Sequence, residues 1–364
     1  MRKLLTFVAG ILITGTLLAG GLVTNTNQSA TWVRLPARNA STAIDAVYYN
    51  PAGLMKLENG FHISLSNQSV FQKREIENSY AGPPATVVPA VTGVTYGLNQ
   101  HVFKGTVTAL AFPSIYAVYK MDKLAFSLGF NPIGGGGGAE FKSGLPSFEV
   151  SPSDLVPSLA KAGVTGYKLD AYFKGKATFL GLQGGISYKV NDWLSISAGL
   201  RYVMAENAYL GHLNDIQLQI GGAWLPAKTA MTGIAGNLTS ITTIPASLAP
   251  AISGGIGGLT LTQAAAVSPA IAAAKASIEA GLAAIGVPAA NIPLMSLSVI
   301  SGTVTAATPT LNAQAAGILA TANSKPLSNQ SADVVQEGSG FAPVFSVNIS
   351  PSENLNIALK YELL

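Results

Sequence analysis

The chain has 364 residues, 48% of them hydrophobic and 10% charged, with a net charge of +4 and a mean hydropathy of +0.38. Soluble globular domains carry about 25% charged residues, so the composition excludes an ordinary soluble enzyme, and its hydrophobicity excludes intrinsic disorder. The small net charge gives no electrostatic case for nucleic-acid binding, and a sequence without cysteine excludes thiol catalysis, cysteine-ligated metals and disulfides.

The N-terminus opens with Arg2 and Lys3, an apolar run from Leu4 to Leu18, and the small residues Ala19, Gly20 and Gly21. This order predicts a secretory signal peptide over 1–20 and export of the mature chain. A membrane-spanning helix needs roughly 20 consecutive apolar residues. No later run reaches that length, so the hydrophobicity of the mature chain is expected in strands. The segment 21–58 is polar from Thr24 to Ser29, carries turn chemistry at Asn50-Pro51 and lacks sustained alternation. It is predicted to form a compact unit that is not a strand.

From Phe61 onward the pattern changes. Phe61, Ile63 and Leu65 alternate with polar residues, as do Leu124 to Phe130, Leu194 to Tyr202 and Leu355 to Leu363. Period two places one apolar and one polar face on each strand. The spacing predicts about seven strands, over 59–74, 106–120, 123–132, 175–190, 193–207, 340–350 and 354–364. Tight polar turns at Met121-Asp122-Lys123, Asn191-Asp192-Trp193 and Ser350 to Asn354 alternate with long connections at 78–105, 133–174 and 211–340. That asymmetry is the pattern of an all-β transmembrane antiparallel β-barrel, with short turns in the periplasm and long loops outside. Tyr119, Tyr188, Trp193 and Tyr202 fall near strand ends, where an aromatic girdle belongs. The run Gly134 to Gly138 lacks the Lys-Ser/Thr of a phosphate loop and reads as the flexible start of an outer loop.

The segment 211–339 is a long, apolar, Ala-rich insertion. Between Lys228 and Lys325 its charges are limited to Lys275 and Glu279. Ser268 and Pro269 predict a helix start, with Gly286 and Pro288 past its end. Ile271, Ile278, Leu282 and Ile285 form one stripe. Thr308-Pro309 predicts a second helix, and Ser151-Pro152 a smaller one carrying Leu155, Leu159 and Ala162. Two readings stay open for these helices: a cap packed on itself, or an apolar docking surface outside the cell. His62, His101 and His212 lack metal-ligand spacing, no nucleophile elbow appears in a credible context, and no enzyme activity, cofactor or metal is expected.

Gly21-Leu22-Val23 after the signal, and Asn50-Pro51-Ala52-Gly53 after Ala46-Val47-Tyr48-Tyr49, resemble the N-terminus of the FadL-type long-chain fatty-acid transporters of the outer membrane. The resemblance implies that 21–58 is an N-terminal hatch, carrying Gly21, Leu22, Val23, Asn50, Pro51, Ala52 and Gly53. It implies a barrel of 14 strands, an even number as such barrels require. It also implies a path for a long-chain fatty acid or another hydrophobic compound, such as an aromatic hydrocarbon. The ligand would be caught in an apolar outer groove, for which Leu155, Leu159, Ile271, Ile278 and Leu282 are candidates. It would then pass to a pocket beside the hatch and leave through a gap in the wall. Arg201 and Lys360 lie on the polar phase of their strands; they either meet the ligand's carboxylate or pair with Glu206, Glu362 or Asp45.

Seven strands are fewer and odd, the last strand does not end in an aromatic residue, and 211–339 is longer than the family leads one to expect. The region 59–364 is therefore expected to be an incomplete wall, from an interrupted gene product or one completed by a second chain. Outer-membrane lipid and lipopolysaccharide are expected neighbours. The alternative function is a surface adhesin using the long apolar loop. A general porin is disfavoured, because a hatch blocks the lumen.

Overall fold

The structure, a computed structural model, describes residues 29–82 and 97–363. The signal segment 1–20 and Gly21, Leu22 and Val23 lie outside the described residues. The described residues begin with two short helices, α1 (Ala30–Arg34) and α2 (Ala46–Tyr49), and a 3-10 turn at Pro51–Lys56. An antiparallel meander follows: β1 (Gly60–Glu77), β2 (Val102–Met121), β3 (Leu124–Phe141), helix α3 (Pro146–Ser158), β4 (Val164–Lys189) and β5 (Leu194–Ile220). A short strand β6 (Ala223–Pro226) turns back on β5 and leads into a helical cap. The cap contains α4 (Ala227–Ile241), α5 (Ile244–Ala251), α6 (Leu261–Val267), α7 (Pro269–Ala284) and α8 (Leu297–Ala322). The chain then rejoins the sheet as β7 (Gln330–Ser352) and β8 (Leu355–Glu362).

The sheet is inside out relative to a water-soluble one. Phe61, Ile63 and Leu65 of β1, Phe126 and Leu128 of β3, Ile196 and Leu200 of β5, and Leu359 and Tyr361 of β8 are exposed. Ser187, Ser195, Ser197, Arg201, Ser346 and Asn348, on the opposite phase, are buried. Exposed apolar residues alternating with buried polar ones make a lipid-facing wall. The sheet order is β1-β2-β3-β4-β5-β7-β8, with β6 on β5. Among the described residues no pairing joins β8 to β1, so the sheet is open. No helix of the described residues is long and apolar enough to cross a membrane.

The strands run further than their alternation. The stretches 133–141 and 164–174, expected as loop, belong to β3 and β4, and Gly134, Gly135, Gly137 and Gly138 pair with β4 instead of starting a flexible loop. Likewise 211–220 continues β5, and 330–340 belongs to β7. The reason is physical. Above the apolar belt the outward face no longer meets lipid, so hydrophobicity loses its period while backbone pairing continues; 330–340 is exposed throughout.

The cap corrects two helix starts. α7 begins as expected, with the Ser268 side chain accepting from the Ile271 amide. α8 begins at Ser296, whose side chain caps the Val299 amide, and Pro309 lies inside the helix. α3 begins at Pro146, and Pro152 is likewise internal.

Leu200→Arg, in the apolar belt of β5, is expected to destabilise the wall in lipid vesicles by about 2–4 kcal/mol. Leu210→Arg, ten residues up the same exposed face, should cost no more than about 1 kcal/mol. Guanidinium unfolding of the two variants measures the difference.

Candidate functional site

The N-terminal segment lies against the inner face of the sheet, and the tie begins at Arg38. Its guanidinium grips Asp45 with two bonds, Nε to Oδ2 and Nη2 to Oδ1, both 2.7 Å. Ser41 Oγ donates to the same carboxylate at 2.6 Å. Hydrogen bonding to Asp45 holds the Arg38 pKa above its ordinary value. Asp45 is thereby occupied, and it is not the partner of Arg201 or Lys360.

Asn50-Pro51-Ala52-Gly53 is the centre of the seat. Pro51 opens the 3-10 turn, where its missing N–H costs nothing. Peptide groups that the short turns leave unpaired are met by side chains of the sheet. The Ala52 N–H donates to Ser346 Oγ at 2.8 Å, and Ser195 Oγ donates to the Ala52 carbonyl at 2.7 Å. Ser187 Oγ donates to the Pro51 carbonyl at 2.7 Å, and Gln183 Nε2 to that of Val47 at 2.6 Å. Asn50 Nδ2 donates to Asn348 Oδ1 at 2.7 Å and to the Ser41 carbonyl at 3.1 Å. Gly53 is required here: a Cβ would collide with the Asn50 amide and lie 2.5 Å from the Ser41 carbonyl. Beside the turn, Ala46, Val47, Tyr48, Tyr49, Leu54 and Met55 form one core with Tyr116, Val118 and Ala125 of β2 and β3.

A charged node sits next to this core. Arg201 is 3% exposed. Its Nη1 and Nη2 donate to the two oxygens of Glu362 at 3.0 and 2.9 Å, and its Nε and Nη2 donate to Gln183 Oε1 at 2.9 and 2.6 Å. Lys360 Nζ lies 2.6 Å from Glu362 Oε1 and donates to the Tyr48 carbonyl at 2.9 Å. Both cations lie over the Tyr48 ring, at 4.6 and 4.8 Å from its centroid. Burial raises the Tyr48 phenol pKa, which keeps the ring neutral beneath them. Two cations share one carboxylate, so the node carries a net +1. Of the three partners weighed from sequence, Glu362 is the one in place; Glu206 binds Lys176 instead, at 2.9 Å.

The seam between β2 and β3 parts. The ladder pairs Val107 with Ala139 and resumes at Ile115 with Phe130, leaving 108–114 and 131–138 unpaired with each other. Two bulges, at Pro132/Gly134 and Gly135/Gly137, interrupt the register of β3 with β4 over the same stretch. Gly135 has φ +84°, and a Cβ there would strike the Ala177 carbonyl. The seam holds a cavity of about 480 Å³ lined by Ala111, Phe112, Pro113, Phe130, Pro132 and Leu180, with Glu140, Lys174 and Lys176 at one end. Ile133, on the seam, packs against the core of the N-terminal segment.

The apolar candidates are placed differently from expectation. Ile271, Ile278 and Leu282 are core residues of the cap, closed in by Leu248, Leu261, Leu297 and Ile300. Leu155 and Leu159 belong to a separate core with Leu218, Met231 and Leu327, which seats the cap on the upper sheet. None of the five lines an open groove; each pays for its apolar character by closing the cap or its base. A second cavity, of about 380 Å³, lies instead between α3 and the upper strands, lined by Phe148, Phe173, Tyr209, Leu213 and Gln330. Among the described residues no cluster of three His, Asp or Glu side chains could hold a metal.

No protein-family model matches the sequence, and no curated protein matches it. Among solved structures, that of the P. putida toluene transporter TodX is similar at 13% identity and a TM-score of 0.36, over 89% of this chain and 51% of that one. The chain thus spans about half the length of that transporter.

Gly53→Ala is expected to loosen the seat by about 1–3 kcal/mol, the usual cost of overpacking. Trypsin cleavage after Arg38 in the folded protein should accelerate, while the melting of the strands changes little.

Proposed function

We propose that the chain forms the wall of an exported outer-membrane transporter that takes up hydrophobic compounds, long-chain fatty acids foremost. The observation that carries this reading is the parted β2–β3 seam, where ladder pairing lapses and a cavity opens on the lipid-facing side of the wall, beside a seated N-terminal segment. The segment 21–58 acts as the hatch, as the FadL-type resemblance of Asn50 to Gly53 implies. A ligand enters from the looped end, meets the hatch, and leaves sideways through the seam. Its carboxylate is held at Arg201 and Lys360, where the net positive charge favours an anion. The two sheet edges need partners in a bilayer, since lipid offers none; further strands or a second chain supply them.

Radiolabelled oleate uptake by cells carrying the chain, with a small sugar as control, tests the proposal. Oleate uptake should rise without sugar uptake. Ala111→Trp, which fills the seam, should lower oleate uptake at least about tenfold at unchanged protein level, and Lys360→Met should weaken it less. Equal uptake by the Ala111→Trp protein would falsify exit through the seam.

A further inference from the structure

The seam cavity opens on the outward face. Phe130 and Pro132 of β3 share the phase of the exposed Phe126 and Leu128, and Leu180, Thr178, Lys176 and Lys174 of β4 share that of the exposed Leu182, Ile186 and Tyr188. The cavity is therefore a groove on the side of the wall that meets lipid. Its floor is apolar, with Phe130, Pro132, Leu180 and Pro113. Its upper end carries hydroxyls, at Thr106, Thr108 and Thr178, and then the two lysines.

The depth of the lysines is fixed by the strand. From Tyr188 to Thr178 the outward residues of β4 span ten positions, roughly 33 Å along the strand and about 25 Å of height at the usual tilt of about 40°. That is the height of the apolar band of such walls. Lys176 and Lys174 thus stand just above the band, on the side of the long connections. They are two residues apart on one face, about 7 Å. Lys176 pairs with the half-exposed Glu206, a surface contact readily exchanged. Among the described residues Lys174 makes no ion pair. Glu140, opposite Lys174 in register, accepts from the Tyr172 hydroxyl at 3.1 Å. The groove's own lining therefore carries a net +1.

We propose that this groove docks a phosphorylated glycolipid of the outer leaflet, one acyl chain in the seam and the headgroup phosphate on Lys174 and Lys176. The inference rests on the reading of the sheet as an outer-membrane wall with its long connections outside. Lipid tails are as apolar as the wall, so the chain gains little by leaving its neighbours. The selectivity comes from the phosphate on paired ammonium groups. The tail fills the gap between β2 and β3 when no other ligand does, and an outgoing ligand exchanges with it.

The test uses the full chain isolated from outer membranes and placed in phosphatidylethanolamine vesicles containing bisphosphorylated lipid A, dephosphorylated lipid A, or neither. Native mass spectrometry reads the lipid retained on the protein. Bisphosphorylated lipid A should be retained about tenfold over the dephosphorylated form. Lys174→Ala with Lys176→Ala should abolish that preference, and Lys174→Arg with Lys176→Arg should keep it. Ala111→Trp should lower retention of both forms. Equal retention of the two lipids, or an undiminished preference in the alanine variant, overturns the docking site; if oleate uptake proceeds in the same cells, the transport reading stands without it. A chain recovered outside the outer membrane overturns both.

Discussion

Every peptide group removed from water must find a partner, and most of this structure follows from how that is done. In the strands the ladder does it. In the segment 46–53 the turns are too short to pair their own groups, so the sheet lends side chains: Ser187, Ser195, Ser346 and Gln183 reach the groups of Val47, Pro51 and Ala52. Each such bond contributes about 0.5–1.5 kcal/mol net, but leaving a buried group unpaired costs more. The inner serines are thus the complement of one particular turn, beyond being polar for the sake of a polar interior. The β2–β3 seam is where the same rule is relaxed, and a cavity occupies the place of the missing ladder bonds.

The charged node obeys a related constraint. A guanidinium as buried as Arg201 needs an anion and its remaining donors satisfied. Glu362 takes two of its bonds and Gln183 the others. Gln183 also holds the Val47 carbonyl, and Lys360 holds that of Tyr48. The node is therefore a junction between β4, β5, β8 and the N-terminal segment. A second anion arriving there competes with Glu362 for the same donors, and in doing so acts on the groups that hold 47–48 in place.

The wall was legible in the sequence because lipid imposes a period of two on it. All seven strands expected from alternation are present, and among the described residues the four-residue β6 is the one further strand. Their upper ends were not legible, because there the outward face meets no lipid and Gln330 to Gly340 shows no apolar phase. The Ser268 cap was legible from local chemistry; the start of α8 was not, because Pro309 reads as a helix start although it is tolerated inside. The inward placement of Arg201 and Lys360 was legible from their phase on the strand, and Glu362, which pairs with both, was among the partners named for them. The serines and Gln183 were on the polar phase too, but nothing local says which polar residue faces a turn more than a hundred residues away. The apolar stripe of α7 was read correctly as a stripe; whether a stripe meets a ligand or its own cap depends on tertiary packing.

The last link is between the N-terminal segment and the seam. Gly129 has no side chain, and Val47 occupies the space: a Cβ there would lie 2.7 Å from its Cγ1. Ile133, four residues along β3, packs into the same core and borders the parted seam. Gly181 of β4 leaves room for Ile133 in turn, since a Cβ there would lie 2.6 Å from it. The residue at the edge of the seam is thus supported on one side by the N-terminal segment and on the other by a glycine. Interiors packed to this density move in discrete steps. A displacement of the N-terminal segment that opens this core takes away support from Ile133, and the cheapest response is a shift of the β3 segment that has no ladder bonds to β2. The seam and the seat are then two ends of one packed contact, and what loosens the first bears on the second.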